Sequence, residues 1–352
     1  MNSRKRVTIY DIAQKLNITV STVSRALSDK QYVNAATKKL VLETAAELNY
    51  KRSTLARNLR MGQTKTIGVV VPRINQNFFA NVIAGIEDIT YQKDYNLIIC
   101  QTDEQHEKEV KCINTLINQQ VDCIVISVSA DSYNYDHLKA VTGHGIQLIQ
   151  FDRVAEELDT LKVINDNEQA SFEAVTHLIN QGYKKIALLE GPQNLNIFRQ
   201  RKSGYLKALE TAGIAVNDTY IIENAWTKEL GAEATEKLLR LPDAPDAIFA
   251  STSDFSALGV LEVANQLKIK VPEQLGICGY SNEAFTEITS PSITTIDQFS
   301  VDMGKAVANL FFDDLASEGK GDTAKVISIK PELIIRGSSF RQKQENKNQE
   351  PG

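Results

Sequence analysis

From Thr66 onward the chain alternates short apolar runs with longer stretches of helical periodicity, and this alternation limits its fold more than any other feature. The runs IGVVVP, Asn96–Gln101, CIVIS, IQLIQFD, KKIALLEG, DAIFAS and QLGICGY have the apolar, β-branched character of buried strands. Phe79–Gln92 and Glu107–Gln119 are the first helical stretches between them. A parallel neighbour needs a crossover of about a dozen residues, which each helical stretch supplies. The pattern predicts parallel sheets covered on both faces, with enough strands for two sheets.

Ligands in such sheets lie beyond the carboxyl ends of the strands. Those positions hold Pro72-Arg73, Asn77-Phe78-Phe79, Ser127 and Ser129, Asp152-Arg153, Asp166-Asn167, Gly191-Pro192 through Arg201, Ser253-Asp254 and Tyr280-Ser281-Asn282. Aromatic surface beside hydrogen-bonding groups suits a sugar, a nucleoside or another small polar metabolite. Asp152, Asp166 and Asp254 read equally well as caps of the helices that follow. One of Phe78 and Phe79 belongs to the core, and Arg201, so close to a glycine-rich strand exit, reads as a ligand clamp.

The amino-terminal residues have a different texture. Residues 1–62 carry 12 Lys/Arg against 4 Asp/Glu, a balance of +8, whereas the other 290 carry 27 and 40, a balance of -13. A basic module on an acidic body is suited to meet a polyanion, nucleic acid or anionic membrane, while the body does something else. Thr8 with Asp11 reads as a cap opening a helix over Ile9–Leu16, with Ile12, Ala13 and Leu16 inward and Asn17 ending it. Thr19 caps a second helix in which Val20, Val23 and Leu27 are apolar and Ser21, Ser24 and Arg25 polar. Asn34 caps a third over Ala35–Leu48, with Leu40, Val41, Thr44, Ala45 and Leu48 as its inward stripe.

Three short helices with a tight turn between the first two describe a helix-turn-helix. Ser21 and Arg25 lie one turn apart, so both can enter a major groove, with the Arg25 fork matched to guanine. Thr8, Thr19, Thr22, Ser24 and Asn34 can donate to phosphates. The competing reading is a solvated face on some other small bundle.

TIYDIAQKLNITVSTVSRALSD followed by VNAATKKLVLETAAELNY closely resembles the headpiece of the LacI/GalR family of bacterial transcription regulators. The resemblance implies base-reading by Val20, Ser21, Thr22 and Arg25, and places Tyr10 beside the DNA backbone. It also implies a hinge helix in residues 53–62, too short to be stable alone, with Leu59 as a minor-groove wedge and Ala56 and Arg60 beside it. Lys51-Arg52 stands where the family often has proline.

The body, about residues 65–337, is similar to the family's effector domain, itself like periplasmic sugar-binding proteins. GPxxxNxxxxRxxGY, SDFSALG, GYSN and ITTIDQ are the landmarks. The resemblance implies a homodimer and two lobes: roughly 65–163 plus 295–325, and 164–294 plus 326–340. It implies effector contacts at Arg201, Asp152 and Phe78 or Phe79, and the strand-exit positions Ser127, Arg153 and Asp254 join them as candidates. The GYD turn of many members is GYS here, with Ser281 at the aspartate's place, and Leu195 and Ile197 replace polar residues of purine-type members. Those departures disfavour a purine and point to a saccharide or its derivative. FASTSD is one residue longer than usual, which blurs the register near Ser253.

The expected fold is thus an all-α helix-turn-helix headpiece (1–52) with a hinge helix (53–62), then a two-lobed α/β domain (65–340) and a polar, disordered tail (341–352). No GxGxxG, P-loop or GxSxG motif marks an enzyme, and Asp103, Glu104, His106 and Glu107 read as a solvated helix start. Four scattered histidines and the unpaired spacing of Cys100, Cys112, Cys123 and Cys278 give no metal or cofactor motif. Cys100, Cys123 and Cys278, in strand-like runs, read as buried inert thiols. With no apolar run long enough for a membrane span and no signal peptide, a cytoplasmic, nucleoid-associated regulator is expected. Its partners would be a near-palindromic operator, a small effector and a second copy of the chain. A transport-type binding protein, an enzyme fused to a DNA-binding module and an architectural DNA binder without effector are the competing classes.

Overall fold

The computed structural model describes residues 7–28, 33–50, 63–317 and 324–341. The hinge positions Ala56, Leu59 and Arg60 lie outside the described residues. The chain divides into two compact units, one through Thr64 and one from Lys65 onward.

In the first unit α1 (Ile9–Leu16), α2 (Val20–Leu27) and α3 (Ala35–Glu47) begin where the caps place them. The Thr8 backbone N–H and hydroxyl both donate to the Asp11 carboxylate at 2.7 Å. Asn17 takes the left-handed conformation that ends α1, with φ 51°. Thr19 Oγ1 accepts from Thr22 N–H at 3.2 Å, and Asn34 Oδ1 from Ala36 N–H at 2.7 Å. Ile12, Ala13, Val23, Ala26, Val41 and Ala45 form the core. Leu40, expected inward, is 49% exposed. At 100° per residue it lies off the face set by Val41, Thr44 and Ala45, and its carbonyl accepts the Thr44 hydroxyl at 2.9 Å.

The second unit holds two parallel sheets. One has the order β11-β5-β4-β3-β1-β2, formed by β1 (Thr66–Val71), β2 (Asn96–Gln101), β3 (Cys123–Ile126), β4 (Gln147–Phe151), β5 (Leu161–Asn165) and β11 (Val326–Ile329). The other has the order β7-β6-β8-β9, formed by β6 (Ile186–Leu189), β7 (Ile221–Ile222), β8 (Ala247–Ala250) and β9 (Gly276–Cys278). The helices α4 (Asn77–Gln92), α5 (His106–Asn118), α6 (Asp136–Gly143) and α12 (Ser300–Ala316) belong to the first lobe. To the second belong α7 (Asn167–Asn180), α8 (Asn196–Thr211), α9 (Lys228–Leu239), α10 (Asp254–Gln266) and the short α11 (Phe285–Ile288). An antiparallel pair, β10 (Thr295–Asp297) with β12 (Glu332–Ile334), completes the second lobe.

The crossings between lobes fall later than the sequence places them. Residues 295–297 stay with the second lobe, where Ile296 and Leu333 join its core. Residues 326–329, assigned to the second lobe from sequence, instead pair with β5 at the edge of the first sheet. The cause is period: both segments are too short for their alternation to identify the sheet they join. Arg341, expected in the tail, is docked. Its N–H donates to Gln181 Oε1 at 2.8 Å and its guanidinium stacks 3.7 Å from the Tyr183 ring.

The thiols divide as well. Burial raises the pKa of Cys123 and of Cys278. Cys100 is only half-buried, and a hydrogen bond from Cys112 lowers its thiol to about 7, so it is not the inert core thiol its strand suggests.

Helix α4 meets α12 at glycines. A Cβ on Gly85 would lie 2.1 Å from the Val301 carbonyl oxygen, and one on Gly304 2.1 Å from that of Val82. Gly304→Ala is therefore expected to destabilise the second unit by about 1–3 kcal/mol in urea unfolding. Gly143→Ala, whose Cβ would meet nothing within 4 Å, should leave it unchanged or slightly more stable.

Candidate functional site

The exits of β2, β4, β9 and β10 bend through non-glycine residues of positive φ. Asp103, Glu104, Asp152, Ser281, Asn282 and Phe299 all have positive φ, from 50° to 118°. For Glu104, Ser281 and Phe299 such conformations cost of order 1–3 kcal/mol each, whereas Asp and Asn adopt them more readily.

Around these turns the side chains form one ionic cluster. Arg201, on α8, is 2% exposed. Its Nε donates to Asn167 Oδ1 at 2.9 Å, its Nη1 to the Ser251 carbonyl at 2.7 Å, and its guanidinium lies 3.6 Å from the Tyr280 ring centre. Asp152, 3% exposed, has its carboxyl pKa raised by burial against the pull of Arg153 and Arg201. Arg153 Nη1 donates to both carboxylate oxygens of Glu104, at 3.0 and 2.8 Å, and its Nε lies 4.0 Å from Asp152. Asp152 Oδ1, Arg153 Nε and Ser127 Oγ are buried without a hydrogen-bond partner.

Other expected residues take different places. Phe79 belongs to the core, edge-on to Phe151 at 6.4 Å and under the Arg153 guanidinium, whereas Phe78 is only partly buried. Leu195 and Ile197, on the second lobe, pack into a first-lobe core with Val128 and Ala155. They work as an interlobe contact. Ser281 Oγ donates to Gln298 Oε1 at 3.3 Å, and Gln298 Nε2 reaches Asn165 at 3.3 Å. Asp254 is a lock: Oδ1 accepts from Thr295 Oγ1 at 2.6 Å and Oδ2 from the Glu283 N–H at 2.8 Å.

Asn165, Gln298 and Glu104 were missed as site residues. Glu104 and His106, read as a solvated helix start, are in fact bound to Arg153 and buried, respectively. Partners distant in sequence leave no spacing signal, although a polar residue at a strand's carboxyl end is itself a cue for Asn165.

On the headpiece, Ser21 and Arg25 are exposed on one face of α2. Thr19 Oγ1 lies 2.8 Å from both Ser21 Oγ and Thr22 Oγ1, a small hydroxyl cluster at the front of that helix. Tyr10 is 69% exposed. Val20 packs partly against the core, Ser24 is half-buried, and Thr8 spends its hydroxyl proton on Asp11. The face is suited to backbone contacts around one long fork donor.

Two tests follow from this geometry. Arg25→Ala should cost about 1–3 kcal/mol of DNA affinity and relax preference at one base pair, read by competition binding at fixed salt. Burial raises the Asp254 carboxyl from 3.8 to about 7. The unfolded chain gives up that proton first, so the parent loses stability as pH rises from about 4 to about 7. Asp254→Asn removes this titration, and thermal melts should show the variant gaining on the parent across that window.

With the geometry in hand, comparison with known proteins gives a consistent picture. Residues 8–53 match the family model for "Bacterial regulatory proteins, lacI family", and residues 64–335 match that for "Periplasmic binding proteins and sugar binding domain of LacI family". Catabolite control protein A of Priestia megaterium is 34% identical over 305 residues, 86% of this chain and 91% of that protein. The transcriptional repressor CytR of Escherichia coli K12 is 33% identical over 332 residues, 94% of this chain and 96% of that protein. Among solved structures, the Lac repressor dimer bound to operator and the anti-inducer ONPF superposes with a TM-score of 0.81 at 23% identity, covering 96% of this chain and 100% of that one. The regulator CelR in complex with cellobiose gives 0.71 at 25% identity, covering 95% and 100%. A helix-turn-helix, two parallel-sheet lobes and an ionic cluster at their strand exits thus coincide with matches over nearly the whole chain, and the chain belongs to the LacI family of bacterial transcription regulators.

Proposed function

We propose that this chain is a homodimeric repressor of the bacterial cytoplasm, working at the nucleoid, whose grip on a near-palindromic operator is set by a neutral saccharide held at the strand exits. The carrying observation is the ionic cluster. Its guanidiniums, Arg153 and Arg201, are matched by Glu104 and Asp152. No excess positive charge remains for a phosphate, and the unpartnered Ser127 Oγ, Asp152 Oδ1 and Arg153 Nε offer what sugar hydroxyls need. The Ser281 turn, its hydroxyl committed to Gln298, supplies none of the added donors that a purine's edge would call for. Solved relatives support the class: one is described with cellobiose, and another, from Enterococcus faecium at 28% identity, with ribose.

The dimer places two recognition helices in successive major grooves, with Val20, Ser21, Thr22 and Arg25 toward the bases. The hinge residues Ala56, Leu59 and Arg60 meet their twins over the operator's centre. A saccharide that discriminates between two lobe arrangements by about 2.7 kcal/mol shifts operator affinity 100-fold.

The test is a thermal-shift screen of the full-length protein with neutral sugars and their phosphate esters, followed by titration of each hit against labelled DNA flanking the gene. Neutral sugars are expected to stabilise the protein and change its DNA affinity, and Arg201→Met should abolish that response. Stabilisation by phosphate esters alone would sink the charge argument. Leu59→Ala should weaken operator binding far more than non-specific binding; equal loss on both DNAs would remove the wedge.

A further inference from the structure

The fold brings together three residues whose sequence spacing shows no motif. His106 opens α5, Glu109 lies one turn along the same face, and His137 stands near the start of α6. One donor atom from each lies within 4.8 Å of the others. All three are buried, at 6, 0 and 8% exposure. The His137 Nε2 is 2.8 Å from Glu109 Oε1, which also accepts the Ser132 hydroxyl at 2.8 Å, while Oε2 accepts the Ser129 N–H at 2.6 Å. The two imidazole rings meet edge-on at 5.2 Å, and the exposed Tyr133 ring covers His106 at 4.1 Å.

A carboxylate anchoring the loop after β3 accounts for Glu109 and for the Nε2 of His137. It accounts for neither imidazole's Nδ1. The Nδ1 atoms of His106 and His137 are both buried with no partner. An unsatisfied buried polar atom is costly, and a loop that needed only an anchor would be served as well by apolar neighbours. Two imidazoles and a carboxylate are instead the donor set of a three-ligand zinc site, with one position left for water. We infer that His106, Glu109 and His137 form a divalent transition-metal site of this kind, taking Zn²⁺.

The site sits where a metal would matter. Ala130, within the loop that Glu109 holds, donates its N–H to Glu104 at 2.9 Å, and its carbonyl accepts Asn194 Nδ2 of the second lobe at 2.5 Å. A metal that stiffens this loop acts on the Arg153 partner and on an interlobe contact together. Metal binding itself does not depend on which effector the protein takes.

The experiment titrates chelator-treated full-length protein with Co²⁺ and Zn²⁺, reading Co²⁺ absorption and the thermal midpoint. One equivalent with the intense visible bands of a low-coordinate Co²⁺ site is expected, together with a rise in midpoint on adding Zn²⁺. His106→Gln and His137→Gln should each weaken binding at least about tenfold while melting like the parent in chelator. Absence of saturable binding in the parent, or parent-like binding in both variants, would overturn the site. Should neither variant fold, X-ray absorption of the Zn²⁺-loaded parent decides: imidazole scattering supports it, and sulfur scattering, from Cys100 and Cys112, overturns it.

Discussion

The buried Arg201 guanidinium organises the larger unit. Removing such a charge from water costs several kcal/mol even after relaxation, and the cost is met only where every donor has a partner and an opposite charge lies near. Here the partners arrive from separate elements: Asn167 at the start of α7, the Ser251 carbonyl after β8, the Tyr280 ring after β9 and the charge of Asp152 after β4. Asn167 Oδ1 also accepts the Tyr280 hydroxyl at 2.9 Å, so its carbonyl is shared. Loss of any one partner leaves the cation underserved. The strand exits of the second lobe are therefore held in mutual register, and Asp152 extends that register into the first.

Around this centre each lobe is stiff, because its helices cross backbone to backbone. Gly85 and Gly304 permit this in the first lobe, and Gly231 and Gly259 in the second, where a Cβ would lie 2.5 Å from the Ser256 and 2.1 Å from the Lys228 carbonyl oxygen. Close-packed cores shift between discrete arrangements and do not deform continuously. At the crossings between lobes Phe299 has φ 50° and Gln298 ties to Asn165. Ser281 bonds to Gln298 and Asp254 to Thr295, beside one of these crossings, so the turn facing the cluster and that connection are parts of one hydrogen-bonded assembly.

Local chemistry was legible in the sequence, and long-range pairing was not. Thr8, Thr19 and Asn34 marked their helices because capping acts over two or three residues, and the strand-exit rule pointed to Asp152, Arg153, Arg201 and Tyr280 before any contact was known. Glu104 and His106 were misread for the opposite reason. Both look like a solvated helix start, and only the return of the chain to Ala130, His137 and Arg153 buries them. Leu195 and Ile197 were placed correctly along the chain but assigned to ligand, since apolarity alone cannot separate a pocket wall from an interlobe core. The segments at 295–297 and 326–329 carry too few residues to announce a sheet, so the crossings were displaced by a strand's width.

The energetic demand on the switch is small against what the cluster holds in reserve. A 100-fold change in operator affinity needs about 2.7 kcal/mol of discrimination. Ser127 Oγ, Asp152 Oδ1 and Arg153 Nε are each buried without a partner, and an unmet group of that kind costs about 1–3 kcal/mol. A ligand that satisfies two of them in one lobe arrangement and not in the other reaches the required difference without any change in charge. The acidic body, at -13, gains nothing from approaching DNA, so affinity rests on the +8 of residues 1–62. A modest bias applied at the strand exits is then set against a binding energy carried by a small basic module alone.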